Sequence, residues 1–273
     1  MVSIAHLSDP HLDGSAHALD RLKQIADHLR SLEVCPDIII VSGDLTQSNP
    51  SLPASDRTAA ALEGLDSLLE TLDIGIPVVC CPGNADDRTA FAQRFGKASP
   101  GTSSTGTSST GTEPIHQAHR VGTLTILLLD VTVPGSAHGH MTDLICSWAT
   151  GQLDRLAGDE RAVLVMHHPP TPLYRSAVDD LFLRGSEALK SVVRHERVIA
   201  TLCGHTHAAL ATTFAGKPLV IAPGIRSAGL LPQEIAGPGS PLTTENVPPA
   251  YAIHVIADGC LSSHFRTLAP SRP

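Results

Sequence analysis

The alternation of two hydrophobic patterns constrains the fold of this chain more than any other feature. Short runs rich in β-branched residues are typical of buried strands, and leucines that recur every three or four residues are typical of amphipathic helices. Helical spacing occurs within residues 19–32 and 62–72, between such runs. The alternation predicts α/β layering, with helices covering a largely buried sheet. Buried strands are predicted at residues 2–7, 38–41, 78–81, 124–129, 163–166 and 198–203.

The C-terminal part of the chain has a different pattern. From about residue 217, predicted strands at 219–221, 251–256 and 261–267 follow one another without helices. Consecutive strands of this kind predict a second sheet, or a sheet extension, built from hairpins. Residues 99–112 read SPGTSSTGTSSTGT and predict a flexible Gly/Ser/Thr surface loop. Because this loop lies inside the series of strands, we predict one domain over residues 1–273.

Charge and hydropathy exclude several classes of protein. The net charge is −8 and there is no Lys/Arg-rich stretch, which disfavours nucleic acid as a partner. No apolar run approaches the roughly 20 residues of a membrane span. The first residues lack the basic and apolar segments of a signal peptide, and the six cysteines form no C-x-x-C pair. We therefore expect a cytoplasmic protein with reduced thiols.

Histidine is unusually common in this chain and part of it is clustered. There are 15 histidines, against five Phe, two Tyr and one Trp. Ligands collect outside the carboxyl ends of strands in α/β sheets, so polar motifs that follow predicted strands should converge. Imidazole, carboxylate and amide groups together suit Zn, Mn or Fe. Five such motifs occur, D-P-H at 9–11, G-D at 43–44, G-N-A-D at 83–86, H-H-P-P at 167–170 and G-H-T-H at 204–207.

The spacing within these motifs has a physical reason. Asp9 and His11 are two residues apart where the chain leaves a strand, so both can face one ion. His205 and His207 have the same spacing and can serve one ion each. Asp44 stands alone after a glycine, where it could bridge two cations. Two metals about 3.5–4 Å apart that share a carboxylate form a site for in-line displacement at phosphorus.

The ordered set D-x-H, G-D, G-N-x-D, H-H-P-P and G-H-x-H resembles the calcineurin-like metallophosphoesterase superfamily. The flanking sequences HLSDPH at 6–11, VSGDLT at 41–46, PGNADDR at 82–88 and VMHHPP at 165–170 look like its class III cyclic-nucleotide phosphodiesterases and glycerophosphodiesterase relatives. The resemblance covers roughly residues 2–225. It implies a four-layer αββα sandwich with two mixed β-sheets, which agrees with the hairpin-rich C-terminal part.

The resemblance also implies a mechanism and a set of ligands. Two metal ions would hold a bridging hydroxide that attacks a small phosphodiester, such as cAMP or a glycerophosphodiester. Asp44 would bridge the two ions. Family members often dimerise through C-terminal segments, so a homodimer is also expected. The implied ligands are Asp9, His11, Asp44 and His207 for the first metal, and Asp44, Asn84, His167 and His205 for the second.

The chain departs from the family pattern at Ala85. The family usually has histidine there, in G-N-H-D, and that histidine is thought to protonate the leaving oxygen or to stabilise the transition state. General acid catalysis is typically worth about 10²–10⁴-fold. Because all seven implied ligands remain, we expect metal binding to survive and turnover to be weakened, most of all for diesters with alkoxide leaving groups. His168 and His138 are the candidate substitute acids.

Several alternatives remain open at the level of sequence. Asn84 and His168 are expected to contact substrate, whereas His138 is interpreted either as a loop residue or as a substrate contact. The leading function is a metal-dependent phosphodiesterase weakened by Ala85. The others are a phosphomonoesterase or nucleotide pyrophosphatase on the same scaffold, and a catalytically disabled variant that binds metal and ligand.

Overall fold

Two mixed sheets form the centre of the computed structural model, which describes residues 1–47, 49–96, 114–173, 181–235, 237 and 239–269, and the backbone of 103–104. The first sheet has the order β16 (Cys260–Thr267), β15 (Ala250–Ala257), β1 (Val2–Leu7), β2 (Ile38–Ser42) and β3 (Val78–Cys81). The second has the order β11 (Leu210–Phe214), β12 (Lys217–Ile221), β10 (Val198–Cys203), β8 (Arg161–Val165), β6 (Leu124–Leu128), β5 (Gln117–Val121) and β4 (Ser103–Ser104).

Each sheet combines a set of neighbouring parallel strands with antiparallel ones. In the first sheet β1, β2 and β3 are parallel, and β15 and β16 are antiparallel additions. In the second, β6, β8, β10 and β12 are parallel, and β5 and β11 are antiparallel. Two short ladders pair β7 (Gly139–His140) with β9 (Leu183–Arg184), and β13 (Ala228–Gly229) with β14 (Thr243–Thr244).

Five α-helices in the described part of the chain cover the outer faces of the sheets. They are α1 (Ala16–Arg30), α2 (Ala54–Leu72), α3 (Arg88–Phe95), α4 (Asp143–Leu153) and α5 (Ser186–Arg194). Side-chain oxygens cap three of them, because Ser15, Asp87 and Thr142 accept backbone N–H bonds at the first turns of α1, α3 and α4. The Asp87 cap fixes the path of the chain immediately after the polar motif at 83–86.

Three hydrophobic clusters define four layers. Successive side chains of a strand point to opposite faces, and β2 shows the consequence. Ile39 packs with α1, α2 and α3, whereas Ile40 packs against strands of the second sheet such as β8. The other face of the second sheet, with Leu164, packs against α4 and α5. The predicted αββα sandwich with two mixed sheets is therefore confirmed.

The C-terminal hairpins go to different sheets. The β11–β12 hairpin extends the second sheet and begins at Leu210, earlier than the sequence pattern predicted. The β15–β16 hairpin joins the first sheet beside β1. A sheet extension, rather than a separate hairpin sheet, is therefore what forms. Within the predicted loop at 99–112, Ser103 and Ser104 pair with β5, and the other residues lie outside the described ones.

The described residues contain no candidate for a membrane-spanning helix. None of the helices there has both the length and the apolarity that a bilayer crossing requires.

A buried histidine makes the stability of the fold depend on pH. Burial lowers the pKa of His254 from 6.5 to about 4, and the nearby titratable groups are His6 from β1 and His264 from β16. Because the unfolded chain binds this proton at a higher pH than the folded chain, the metal-free protein should lose stability as pH falls from 6.5 towards 4. The loss from this group is up to about 3 kcal/mol.

Urea unfolding of the metal-free protein between neutral pH and about pH 4.5 measures this dependence. We expect His254→Gln to flatten the pH profile, whereas His17→Gln, at a half-exposed position, should leave it unchanged. Equal slopes for His254→Gln and the unchanged protein would contradict the prediction.

Candidate metal centre

The loops after β1, β2, β3, β8 and β10 meet at one edge of the sandwich. Backbone bonds join them in pairs, from Asp9 N to Gly43 O at 3.1 Å and from Gly204 N to His167 O at 3.0 Å. A bond from His205 N to Asp9 Oδ2, at 3.0 Å, then links a loop of the second sheet to a loop of the first. The convergence of the five motifs is therefore a property of the structure.

The backbone is strained where it carries these side chains. Seven residues other than glycine have positive φ in the described part of the chain, and five of them belong to the predicted site. Such conformations cost on the order of 1–3 kcal/mol each and concentrate at functional sites. The five are Asp9 at 53°, His11 at 45°, Asp44 at 50°, His205 at 71° and His207 at 53°.

Two glycines allow the close approach of these loops. Gly43 has φ +95°, and a Cβ there would lie 2.5 Å from Nδ1 of His167. A Cβ on Gly83 would lie 2.1 Å from the backbone nitrogen of Asp44. Any side chain at either position would displace a predicted ligand, which explains the glycine of both G-D and G-N motifs.

Two groups of donor atoms lie at the site, and a third group, of Asp9, Asp44 and His167, links them. In one group, Asp9, His11 and His207 place one donor atom each within 4.8 Å of the others. His207 Nε2 lies 3.4 Å from Asp9 Oδ1 and 3.1 Å from His11 Nε2. The other contains His167, His205 and His168, which was not predicted as a ligand, and His205 Nδ1 lies 3.2 Å from His167 Nε2. Three donors at such distances surround a position of the size of one cation.

Asp44 lies between the two groups. Its Oδ2 is 3.5 Å from His11 Nε2 and 3.3 Å from His167 Nε2, while its Oδ1 accepts a bond of 2.7 Å from Ala85 N. The carboxylate is therefore held in place by one oxygen and shared by both groups through the other.

Hydrogen bonds outside the cluster orient three of the imidazoles. His11 Nδ1 donates to Gln47 Oε1 at 2.9 Å, and His167 Nδ1 donates to the carbonyl of Ser42 at 2.7 Å. His207 Nδ1 lies 2.7 Å from Ser227 Oγ. In a neutral imidazole, donation from Nδ1 leaves the lone pair on Nε2, and that nitrogen faces the cluster. Sequence analysis missed these partners, and for Ser227 the sequence offers no signal at all.

Two buried oxygens make the site suitable for cations. Among the described residues, Asp9 Oδ1 and Asn84 Oδ1 are buried without any hydrogen-bond partner. A buried carboxylate or amide oxygen in that state is costly unless a charge compensates it. Cations bound by the two groups would supply that compensation, so the donor set fits a dinuclear metal site.

For the buried pair of Asp44 and His167, mutual electrostatic attraction shifts the pKa values more than burial does. Burial would raise the pKa of Asp44 and lower the pKa of His167. The attraction between the two reverses both effects, so that the pKa of Asp44 lies well below its usual value and the pKa of His167 rises to about 9. Burial lowers the pKa of His205 to about 4, which keeps that imidazole neutral and able to bind a metal.

Comparison with known proteins identifies the family. A family model described as calcineurin-like phosphoesterase matches residues 2–209. The chain belongs to the calcineurin-like phosphoesterase family. Members of this family bind a dinuclear metal site, and the groups around Asp44 are candidate ligands for one. The resemblance that the five motifs indicated is therefore confirmed.

Relatives within the family include named phosphodiesterases. The chain is 30% identical over 228 residues to a cAMP/cGMP dual specificity phosphodiesterase of Mycobacterium tuberculosis, covering 80% of this chain and 66% of that relative. It is 26% identical over 230 residues to the glycerophosphodiester phosphodiesterase GpdQ of Enterobacter lignolyticus, covering 81% and 76%. A dimetal phosphatase from Danio rerio shares the fold, with a TM-score of 0.68, 15% identity and coverage of 97% and 96%.

The calcineurin-like phosphoesterase fold brings His168 to the site. Its ring is fully buried and lies 4.5 Å from that of His205, centroid to centroid. Its Nε2 lies 3.2 Å from the carbonyl of Ala137, and its Nδ1 is buried without a partner among the described residues. The predicted contact of His168 with substrate stays a prediction.

His138 lies in the adjoining loop. Its ring bonds to Ser136 Oγ at 2.5 Å and lines a cavity of about 400 Å³ with Arg88 and His140. The contact of His138 with substrate stays a prediction. Arg88 pairs with buried Asp130 at 2.8 Å and bonds to Thr132 Oγ1 at 2.6 Å.

Asp86 supports the loop that contains the departure from the family pattern. Its carboxylate accepts backbone bonds from Leu45, Thr46 and Gly83. Burial and the neighbouring charge of Asp44 raise its pKa to about 6. In the same loop, the side chain of Ala85 is a methyl group, so this position holds Asp44 through its N–H but has no proton to give to a leaving group.

Proposed function

We propose that the protein is a dinuclear metal-dependent phosphodiesterase acting on small diesters, such as 3',5'-cyclic nucleotides or glycerophosphodiesters. The observation that carries the proposal is the position of Asp44 Oδ2, within 3.5 Å of an imidazole nitrogen from each donor group. The names of two relatives, a cyclic nucleotide phosphodiesterase and a glycerophosphodiester phosphodiesterase, support the substrate class.

The residues divide between two ions. Asp44 is shared, and Mn, Fe or Zn suits the mixture of oxygen and nitrogen donors. When bound, such ions would lower the pKa of a water molecule and neutralise charge on the phosphoryl oxygens. Asp9, His11, Asp44 and His207 would hold one ion, and Asp44, Asn84, His167 and His205 would hold the other.

The chain's own groups define the remaining chemistry. The ring of His168 lies beside that of His205 with its Nδ1 buried and unpartnered among the described residues, and we predict that this ring contacts the bound substrate. Asn84 sits at the same edge with a buried amide oxygen. Because Ala85 supplies no proton, we expect turnover to be weakened for diesters with alkoxide leaving groups, and less so for diesters of acidic alcohols.

The proposal also covers the substrate class, the compartment and the oligomeric state. The net charge of −8 disfavours nucleic acid as the substrate and leaves small diesters. We propose a cytoplasmic enzyme, because three of its six cysteines are buried free thiols and no disulfide is found among the described residues. The homodimer stays a prediction that analytical ultracentrifugation would test.

Ala85 also supports a second candidate function. A member of this family that binds metals and a diester without turning it over would keep the ligand set and lack the proton donor. Ala85 is the observation that favours this candidate, since the motif around it is otherwise intact.

Hydrolysis of bis(p-nitrophenyl) phosphate by the Mn²⁺-loaded protein tests the proposed function. We expect two metal equivalents per chain and diester hydrolysis above the rate of Mn²⁺ alone, because p-nitrophenolate leaves without protonation. The rate on p-nitrophenyl phosphate, a monoester, should be lower. Tight binding of two ions without hydrolysis would favour the disabled variant, and failure to bind metal would contradict both candidates.

A further inference from the structure

A row of hydrogen-bonded polar side chains crosses the first sheet beneath the metal centre. It begins at Ser263 on β16, whose Oγ lies 2.8 Å from Nδ1 of His254 on β15. His254 Nε2 lies 3.0 Å from His6 Nδ1 on β1, and His6 Nε2 lies 2.9 Å from Ser42 Oγ on β2. The row therefore passes through four adjacent strands, from the half-buried edge of the sheet to its centre.

The inner end of the row reaches the predicted second metal group. The carbonyl of Ser42 accepts the bond of 2.7 Å from Nδ1 of His167. The hydroxyl of Ser42 lies 2.9 Å from Ser8 Oγ, one residue before Asp9. Ser42 is thus the point where the row joins the backbone that orients a predicted ligand.

These polar residues occupy positions where the strand pattern calls for apolar ones. His6 follows Val2 and Ile4 at alternate positions of β1, and those two residues face the second sheet. Ser42 follows Ile38 and Ile40 in the same way on β2. Both His6 and His254 are fully buried, and burial lowers the pKa of each. Two neutral imidazoles in this layer are stable only when their ring nitrogens are paired.

The pairing makes the row a single unit. A neutral imidazole has one donor and one acceptor, so the proton position on His254 decides which nitrogen of His6 is protonated. That choice in turn decides whether the Ser42 hydroxyl accepts from His6 or donates to it. A change at one ring therefore alters the hydrogen bonds of Ser42 two strands away.

We propose that His6 is a positioning residue that holds Ser42, and through it orients the metal ligand His167, while His254 of the C-terminal hairpin pairs the other nitrogen of the His6 ring. The inference rests on the proposed function, because it takes His167 to be a ligand. Loss of such an outer partner typically costs about 10–100-fold in metal affinity.

Two substitutions of His6 separate positioning from packing. The amide of glutamine reaches the place of Nε2, so His6→Gln keeps the bond to Ser42. The amide of asparagine reaches the place of Nδ1, so His6→Asn keeps only the bond to His254. We expect His6→Asn to raise one of the two Mn²⁺ dissociation constants by about 10–100-fold. His6→Gln should leave both dissociation constants near those of the unchanged protein. Isothermal titration with Mn²⁺ and the absorption spectrum of the Co²⁺-loaded protein measure this.

Further variants keep the test decisive. Ser42→Ala removes only a hydroxyl and should show the same loss of affinity as His6→Asn, even if His6→Asn does not fold. If the unchanged protein binds two ions and His6→Asn, His6→Gln and Ser42→Ala all bind them with the affinity of the unchanged protein, the positioning role is overturned and the proposed function stands. Equal weakening by both His6 variants would also overturn it, as a packing effect. Absence of metal binding in the unchanged protein would overturn both inferences.

Discussion

Asp44→Asn is expected to remove at least one of the two bound metal ions and to lower diester hydrolysis by about 10³-fold or more, since a catalytic metal contributes several kcal/mol to the transition state. Asp44 Oδ2 lies within 3.5 Å of His11 Nε2 and of His167 Nε2, so its charge serves both ions. An amide nitrogen or neutral oxygen at that place cannot balance two cations.

The substitution changes charge with little change of shape. The introduced asparagine retains an oxygen that can accept the bond from Ala85 N, so the loop should keep its position. Metal content of the dialysed protein and the rate on bis(p-nitrophenyl) phosphate are the measurements. Asp66→Asn, on the exposed surface of α2, is the matched control and should change neither. Retention of both ions by Asp44→Asn would contradict the bridging role.

Ala85→His is expected to increase turnover, with a gain that depends on the leaving group. A correctly placed general acid contributes about 10²–10⁴-fold where the leaving alkoxide needs a proton. The gain should therefore approach this range for cyclic nucleotides or alkyl diesters. It should be much smaller for bis(p-nitrophenyl) phosphate, whose phenolate leaves unprotonated. Rates for two diesters of different leaving-group acidity provide the comparison.

A matched variant identifies the source of the gain. Ala85→Gln adds a polar side chain of comparable length without a titratable group, and should leave turnover low for both diesters. If the unchanged protein is inert and Ala85→His hydrolyses diesters, the chain is the disabled variant. If Ala85→His and Ala85→Gln behave alike, the assignment of position 85 is wrong.

Local patterns in the sequence were sufficient for the strands that carry the site. The boundaries of β1, β3 and β10 are as predicted, because continuous β-branched runs bounded by polar motifs indicate buried strands without help from other parts of the chain. The short strands β7, β9, β13 and β14 were not predicted. Each has two residues, and such ladders depend on a partner that is distant in sequence.

The sequence likewise could not indicate the outer partners of the site. Arg88 looks like a loop arginine until the fold places Asp130 beside it. His254 looks like an ordinary strand residue until β15 pairs with β1 and brings it to His6. Contacts of this kind join residues up to 248 positions apart, and no local pattern records them.

The sequence by itself determined the layered α/β class, the order of the five polar motifs and the missing histidine at position 85. These are properties of residue type and spacing, which side-chain chemistry and backbone periodicity make readable. Only the tertiary structure decided that Asp44 lies between the two donor groups and that each C-terminal hairpin joins a different sheet. It also revealed that buried histidines connect one hairpin to the metal centre. These facts depend on which strands become neighbours, and that choice is made by packing over the whole chain.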